Sequence, residues 1–235
     1  MIDDFLKIHD PLQPGMVAVI GIPYDENSSF MRGAALAPTR IREVLHAGSI
    51  NLCAENGLDL STSQNFLDLG DLDPGNGKQA LEKISAVVSQ LLNHDVKVLS
   101  LGGDHAITYP IIKAFNKKYG RLTILQFDAH PDLYDEYDGN RYSHACPFAR
   151  IMEEKLAGRL IQIGVRAENP HQRLQANRFQ VETVSMRNWS DSTDIDISGP
   201  VYISIDLDAL DPAFAPVSYT HLRAHETMTG ISYAV

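Results

Sequence analysis

The stretch "LTILQFDAHPD" (Leu122–Asp132) joins a continuous apolar run directly to an Asp-x-His-x-Asp motif. Two other stretches repeat this arrangement: "KVLSLGGDH" (Lys97–His105) ends in Asp-His, and "VYISIDLDALDP" (Val201–Pro212) ends in three aspartates. Continuous apolar runs rich in β-branched residues are typical of parallel strands that are covered on both faces. The sequence therefore predicts buried strands that end in charged, metal-binding side chains.

Segments with helical periodicity alternate with the strand-like runs along the chain. Further strands are predicted at 16–22, 65–72 and 159–165, and helices at 37–48, 77–95, 107–118, 145–154 and 170–177. Repeated β–α alternation predicts an α/β fold, a three-layer α/β/α arrangement with a mostly parallel central sheet. No internal repeat or linker interrupts the pattern, which indicates a single domain.

Composition narrows the class of protein. The chain has 235 residues, of which 44% are hydrophobic and 21% charged, as expected for one globular domain. Its two cysteines, Cys53 and Cys146, cannot build a disulfide framework, which favours a reducing, cytoplasmic location. We find no membrane-spanning run and no signal-peptide pattern, and the net charge of -10 argues against a nucleic-acid partner.

Three predicted strands deliver metal-binding side chains to one place, because ligands in such sheets bind beyond the carboxyl ends of the strands. Side chains two positions apart on an extended chain point the same way, so each Asp-x-His or Asp-x-Asp pair can face one cavity. The candidate ligands are His105, Asp128, His130, Asp132, Asp206 and Asp208. Any one motif alone is more often a turn or a helix cap, but their joint occurrence favours a metal site.

The ligand set also indicates which metal and which chemistry. Four carboxylates and two neutral imidazoles carry a charge of about -4, which two divalent cations would balance. Oxygen-rich ligands with some histidine and no thiolate suit Mn²⁺ better than structural zinc. A dinuclear site of this kind activates water, so the residues alone predict a metal-dependent hydrolase acting on an electrophilic carbon or phosphorus.

The same motifs resemble those of the ureohydrolases, the arginase and agmatinase family. "GGDH", "DAHPD", "YSH" and "SIDLDALDPAFAP" carry the resemblance, and "GIPYDENSSFMRG" resembles the family's N-terminal strand and loop. The resemblance extends over about 17–216 and is strongest to the branch that contains plant-type arginases and bacterial agmatinase-like enzymes. It implies an arginase-like fold and the cleavage of a guanidino group to urea and an amine.

The resemblance also implies a role for each candidate ligand. One Mn²⁺ would be held by His105, Asp128, Asp132 and Asp206, and the other by His130, Asp128, Asp206 and Asp208. Asp128 and Asp206 would then bridge the two ions, and the water-derived hydroxide between them would attack the guanidinium carbon. Asp211 is expected to orient these ligands without binding metal.

Residues outside the ligand set are assigned by the same resemblance. His144 is expected to be catalytic, passing a proton to the leaving amine. Asn140 and Ser143 lie where the family's substrate-contacting loop lies. The partner would be a small cationic guanidino compound, and the family resemblance implies a homo-oligomer, a trimer or a hexamer.

The strand end "IGVR" bears on the choice of substrate. Many arginases carry an aspartate directly after this arginine, whereas this chain has Ala167 followed by Glu168, a candidate substrate contact. This difference favours agmatine, giving putrescine and urea, although plant-type arginases also lack the aspartate. Arginine and other guanidino acids remain alternatives, as do a one-metal zinc deacetylase of similar fold, a non-catalytic guanidine-binding protein and an inactive fragment.

The resemblance stops at Pro216. The remaining segment, "VSYTHLRAHETMTGISYAV" (Val217–Val235), lacks the family's Gly-Gly-containing motif and resembles translated sequencing adaptor. We therefore expect an incomplete ureohydrolase domain over 1–216 and an atypical, artefactual tail over 217–235. The C-terminal strands of the family would then be missing, leaving an edge of the sheet exposed.

Overall fold

The computed structural model describes residues 12–215 and the backbone of 230–234. The strands are β1 Val17–Gly21, β2 Phe66–Asp71, β3 Lys97–Leu101, β4 Leu122–Phe127, β5 Ala157–Val165, β6 Glu182–Ser185, β7 Val201–Asp206 and β8 Gly230–Ala234. The helices are α1 Ala37–His46, α2 Gly77–Asn93, α3 Thr108–Tyr119, α4 Pro147–Glu153 and α5 Pro170–Phe179. Short 3-10 turns at Ala34–Leu36, His105–Ile107 and Leu207–Ala209 lie at the ends of strands or helices.

The strands form one eight-stranded sheet in the order β2-β1-β3-β8-β7-β4-β5-β6. The pairs β1–β2, β1–β3, β4–β5, β4–β7 and β5–β6 are parallel, whereas β8 is antiparallel to both of its neighbours. Helices flank the sheet, which confirms the predicted α/β fold with a mostly parallel sheet. The order also brings β3, β7 and β4, the three strands that end in metal-binding motifs, to the middle of the sheet.

Alternating side chains of the central strands enter two different cores. On β4, Ile124 lies in the larger cluster with residues of α2, α3 and α4, while Leu125 lies in a smaller cluster with Ile161 and Ile163 of β5. Both positions are buried, as expected for strands covered on both faces. Among residues 12–215, the helices are too short or too polar to cross a membrane.

Two of the described strands, β6 and β8, were not predicted from the sequence. β6 has the sequence ETVS, whose short and mostly polar pattern gives no apolar run to recognise. β8 lies in the predicted tail, of which only the backbone of 230–234 falls within the described residues.

The expectation of an exposed sheet edge was wrong. The position for a further strand lies between β3 and β7, inside the sheet, and the backbone of β8 occupies it, pairing Ser232 with both Ser100 and Ser204. The strands are not ordered as in the sequence, so a late strand inserts between earlier ones.

Candidate metal centre

The ends of β3, β4 and β7 gather charged side chains around His105. Its Nδ1 atom lies 2.9 Å from Asp132 Oδ2, 3.2 Å from Asp128 Oδ2 and 3.6 Å from Asp206 Oδ2. The other ring nitrogen, Nε2, lies 3.0 Å from Ser204 Oγ on β7, which fixes the orientation of the imidazole. His105, Asp128 and Asp132 form a buried group whose possible ligand atoms all lie within 4.8 Å of one another.

A second group shares one carboxylate with the first. His130 Nδ1 lies 2.9 Å from Asp208 Oδ2 and 3.7 Å from Asp128 Oδ1. The possible ligand atoms of Asp128, His130 and Asp208 again lie within 4.8 Å of one another. Asp128 therefore presents one carboxylate oxygen to each histidine, which is the arrangement needed to bridge two cations.

Backbone N–H groups hold the carboxylates in place. Asp128 Oδ1 accepts the His130 N–H at 2.7 Å, and Asp206 Oδ1 accepts the Asp208 N–H at 3.0 Å. Asp208 Oδ1 accepts the Ala129 N–H at 3.0 Å and so ties the β7 turn to the β4 loop. Asp132 adopts a left-handed conformation with φ 49°, which turns the loop back toward the site.

The arrangement fits divalent cations. Among the described residues, His105 Nδ1 and Asp208 Oδ2 are buried without a partner in hydrogen-bond geometry, although each lies 2.9 Å from an atom of the opposite group type. Buried polar atoms are normally hydrogen-bonded, and buried charges are paired or coordinate metal. A hard cation among these oxygen and nitrogen atoms would satisfy both.

The pKa shifts of the histidines and of Asp132 follow from the same excess of negative charge. Burial alone would lower the pKa of His105, but the carboxylates of Asp128 and Asp132 raise it well above its usual value. Burial would likewise lower the pKa of His130, and Asp128 with Asp208 raises it to about 12. Burial and the neighbouring charge of Asp128 raise the pKa of Asp132. Protons on the imidazoles thus compensate the charge that bound cations would neutralise.

A cavity of about 350 Å³ opens from the cluster. Its walls include His105, His130, His144, Tyr134, Tyr137 and Glu168. His144 is buried, and its Nδ1 lies 2.8 Å from the carbonyl oxygen of Asn27 in the loop after β1. The predicted catalytic histidine therefore shares one cavity with the predicted metal ligands.

The predicted substrate contacts occupy different positions. Glu168 lines the cavity, but its carboxylate is paired with Arg173 at 2.8 Å. Asn140 Nδ2 donates to Asn27 Oδ1 at 2.9 Å, and Ser143 Oγ lies 3.3 Å from His144 Nδ1. These two side chains thus support the loop that carries His144, which we call the histidine loop. Their contact with substrate stays a prediction.

Asp211 is exposed, and its Oδ1 accepts the Ala213 N–H at 2.8 Å in the turn after β7. Its predicted role in orienting the ligands also stays a prediction.

Several residues that shape the site were missed from the sequence. Asn27 lies in the loop after β1, which was noted in the sequence only for its family resemblance, and no role was predicted for this residue. Three polar residues lie inside apolar strands: Gln126, Gln162 and Ser204. They could have been noticed in the sequence, because a buried polar side chain in a strand needs a hydrogen-bond partner. All three are buried.

Glycine at 103 is also required, because a Cβ there would lie 2.0 Å from the Tyr24 carbonyl oxygen. The absence of a side chain allows the loop after β1 to approach the end of β3.

Fold and site together define an α/β protein whose sheet carries, at its carboxyl edge, a buried His–Asp cluster able to hold metal. The Arginase family model matches residues 16–221, so the chain belongs to the arginase family of ureohydrolases. It is 43% identical over 216 residues to the mitochondrial arginase 1 of Arabidopsis thaliana, covering 85% of this chain and 63% of that protein.

An agmatinase of Neisseria gonorrhoeae is 35% identical over 213 residues, covering 84% of this chain and 66% of that protein. Among solved structures, the arginase from Medicago truncatula superposes with a TM-score of 0.82 at 36% identity, covering 94% of this chain and 74% of that chain. The chain thus spans a little under two thirds of the length of the plant arginases that it matches.

Proposed function

We propose that the protein is a ureohydrolase that uses two Mn²⁺ ions to cleave a guanidino group to urea and an amine. One observation carries the proposal: Asp128 lies between two His–Asp groups and belongs to both. A one-metal deacetylase would need only one such group. In this proposal the first ion would be held by His105, Asp128, Asp132 and Asp206. The second would be held by His130, Asp128, Asp206 and Asp208.

Bound divalent cations would supply Lewis acidity and a nucleophile derived from water at neutral pH. The protein's own residues supply the rest. Ser204 fixes the ring of His105, and backbone N–H groups fix Asp128, Asp206 and Asp208, so the ligands do not need to reorganise.

The tautomer of His144 suits proton transfer to the leaving amine. A carbonyl oxygen can only accept, so the 2.8 Å contact with Asn27 O places a proton on Nδ1 of His144. In the neutral ring Nε2 then carries the lone pair. We propose that Nε2 accepts a proton that the attacking water loses and delivers it to the departing nitrogen as the C–N bond breaks.

We propose arginine as the first substrate to test. The arginase of Arabidopsis thaliana shares more residues with this chain than the Neisseria agmatinase does, 43% against 35%. Glu168, the candidate substrate contact that follows Ala167, already pairs with Arg173 at 2.8 Å. Agmatine remains the second candidate because Ala167 places no carboxylate beside Arg166.

We also propose three further features of this protein. The first is a domain over 1–216 with a tail over 217–235. The second is a cytoplasmic location, which two free thiols support, although the relative from Arabidopsis thaliana is mitochondrial. The third is a homo-oligomer, a trimer or a hexamer, to be measured by light scattering after size exclusion.

The test is urea release with Mn²⁺ and arginine, agmatine or 4-guanidinobutyrate, one at a time. We would assay the chain itself and the chain extended by a family-like C-terminal segment. Highest kcat/KM with arginine supports the proposal, and highest kcat/KM with agmatine supports the second candidate. No urea from any of the three with the extended, Mn²⁺-loaded protein would overturn the proposed function.

A further inference from the structure

Two buried glutamines form a pair directly beneath the candidate metal centre. Gln126 on β4 and Gln162 on β5 are partners in the register of the parallel ladder. Both are completely buried. Gln162 Nε2 donates to Gln126 Oε1 at 2.7 Å and to the Pro131 carbonyl oxygen at 2.6 Å.

The pair continues into the cluster. Gln126 Nε2 donates to Asp128 Oδ2 at 2.8 Å and to the His130 carbonyl oxygen at 3.1 Å. Each amide nitrogen faces only acceptors, and Gln126 Oε1 faces a donor, so the orientation of the Gln126 amide is determined. The direction of donation runs from Gln162 through Gln126 to Asp128.

Packing alone does not account for these amides. Their neighbours on the same face of the strands, Ile124 and Leu160, belong to the large apolar cluster. A pair of leucines would fill such a place without the cost of desolvating two amides. The Gln162 Oε1 atom is itself buried without a hydrogen-bond partner among the described residues, which is a further cost of keeping the pair.

The glutamine pair helps to fix the orientation of the Asp128 carboxylate. Its Oδ1 accepts the His130 N–H, and its Oδ2 accepts the Gln126 amide, so both oxygens are fixed by one donor each. A carboxylate oxygen has a second lone pair. On the same carboxylate, Oδ2 lies 3.2 Å from His105 Nδ1 and Oδ1 lies 3.7 Å from His130 Nδ1, so each oxygen lies beside one histidine.

We propose that Gln126, held by Gln162, is a positioning residue that sets the carboxylate of Asp128 so that each oxygen serves one of two cations. The inference rests on the proposed role of Asp128 as the shared ligand. Partners outside the ligands themselves typically change metal affinity by about 10–100-fold, because they orient the ligand before the metal arrives.

The test compares Mn²⁺ binding by the full chain with that of Gln126→Leu, Gln162→Leu and the double variant, using the electron paramagnetic resonance signal of free Mn²⁺. We expect Gln126→Leu to weaken binding about 10-fold or more. Gln162→Leu, which does not touch Asp128, should weaken it less. In the Gln126→Leu background, Gln162→Leu should cause no further loss of Mn²⁺ affinity, because the hydrogen bond from Gln126 to Asp128 is already absent. Unchanged affinity in Gln126→Leu, or additive losses in the double variant, would overturn the proposal.

A matched control is Gln175→Leu, the same change at a buried glutamine on α5, which should leave Mn²⁺ binding unchanged. If the chain binds two Mn²⁺ but the extended, Mn²⁺-loaded protein releases no urea, the proposed function fails while this inference stands.

If the unmodified chain binds no Mn²⁺, nuclear magnetic resonance of the metal-free protein tests the hydrogen bond from Gln126 to Asp128. The side-chain amide protons of Gln126 should then exchange slowly with solvent, and faster in Asp128→Ala. Rapid exchange of the Gln126 amide protons in the unmodified chain would overturn the proposal.

Discussion

His144 Nδ1 lies 2.8 Å from the carbonyl oxygen of Asn27, a residue in a different loop and 117 positions earlier in the chain. The Asn27 N–H in turn donates to the buried carboxylate of Asp104 at 3.0 Å. The Asn27 side chain lies between Tyr24 Oη at 3.1 Å and Asn140 at 2.9 Å. Asn27 therefore connects the end of β3, the loop after β1 and the histidine loop, and it sets the tautomer of the proposed catalytic residue.

Replacing His144 tests its role in proton transfer. His144→Asn should lower kcat by about 10²–10⁴-fold, the usual contribution of a positioned acid–base group. Mn²⁺ content and KM should stay near those of the unmodified protein, because His144 belongs to neither metal-binding group. Steady-state urea release and metal analysis measure these quantities. An unchanged kcat would reduce His144 to a structural part of the loop.

Replacing Asn27 tests the support of that histidine. Asn27→Ala removes the side-chain contacts with Asn140 and Tyr24 but keeps the carbonyl oxygen. The loop should loosen and kcat should fall by roughly 10-fold, since small displacements of a catalytic group are costly. In the His144→Asn background the same change should have little further effect on kcat. Independent, multiplicative losses would contradict the connection.

Removing ligands one at a time tests the shared carboxylate. Asp128→Ala should abolish binding of both Mn²⁺ ions, because Asp128 belongs to both groups. His105→Ala should mainly weaken one. Metal-to-protein ratios by mass spectrometry check this, and Asp73→Ala, at an exposed aspartate in the turn before α2, serves as the control. Two full equivalents of Mn²⁺ in Asp128→Ala would exclude the bridging role.

The two thiols should differ in reactivity. Burial, and then the charge of Asp132, raises the pKa of the Cys146 thiol to about 12, whereas Cys53 is exposed. A raised pKa keeps the thiol protonated at pH 8, and the thiolate is the reactive form. Ellman's reagent should therefore modify one cysteine per native chain and two after unfolding. Rapid modification of both in the native protein would contradict the buried position of Cys146.

The sequence by itself determined six of the eight described strands, the five described helices and the six candidate ligands. Periodicity and apolar runs are local properties, and β4 and its motif lie within "LTILQFDAHPD". Strand ends in a parallel sheet share one edge, so the meeting of His105, Asp128 and Asp208 could also be foreseen.

Only the tertiary structure decided which side chains complete the site. The contact of Asn27 with His144, the pairing of Gln126 with Gln162 and the insertion of β8 between β3 and β7 join distant parts of the chain. Such contacts depend on strand order and register, which local periodicity does not encode. The ion pair between Glu168 and Arg173 likewise required geometry, because it depends on how the loop after β5 meets α5.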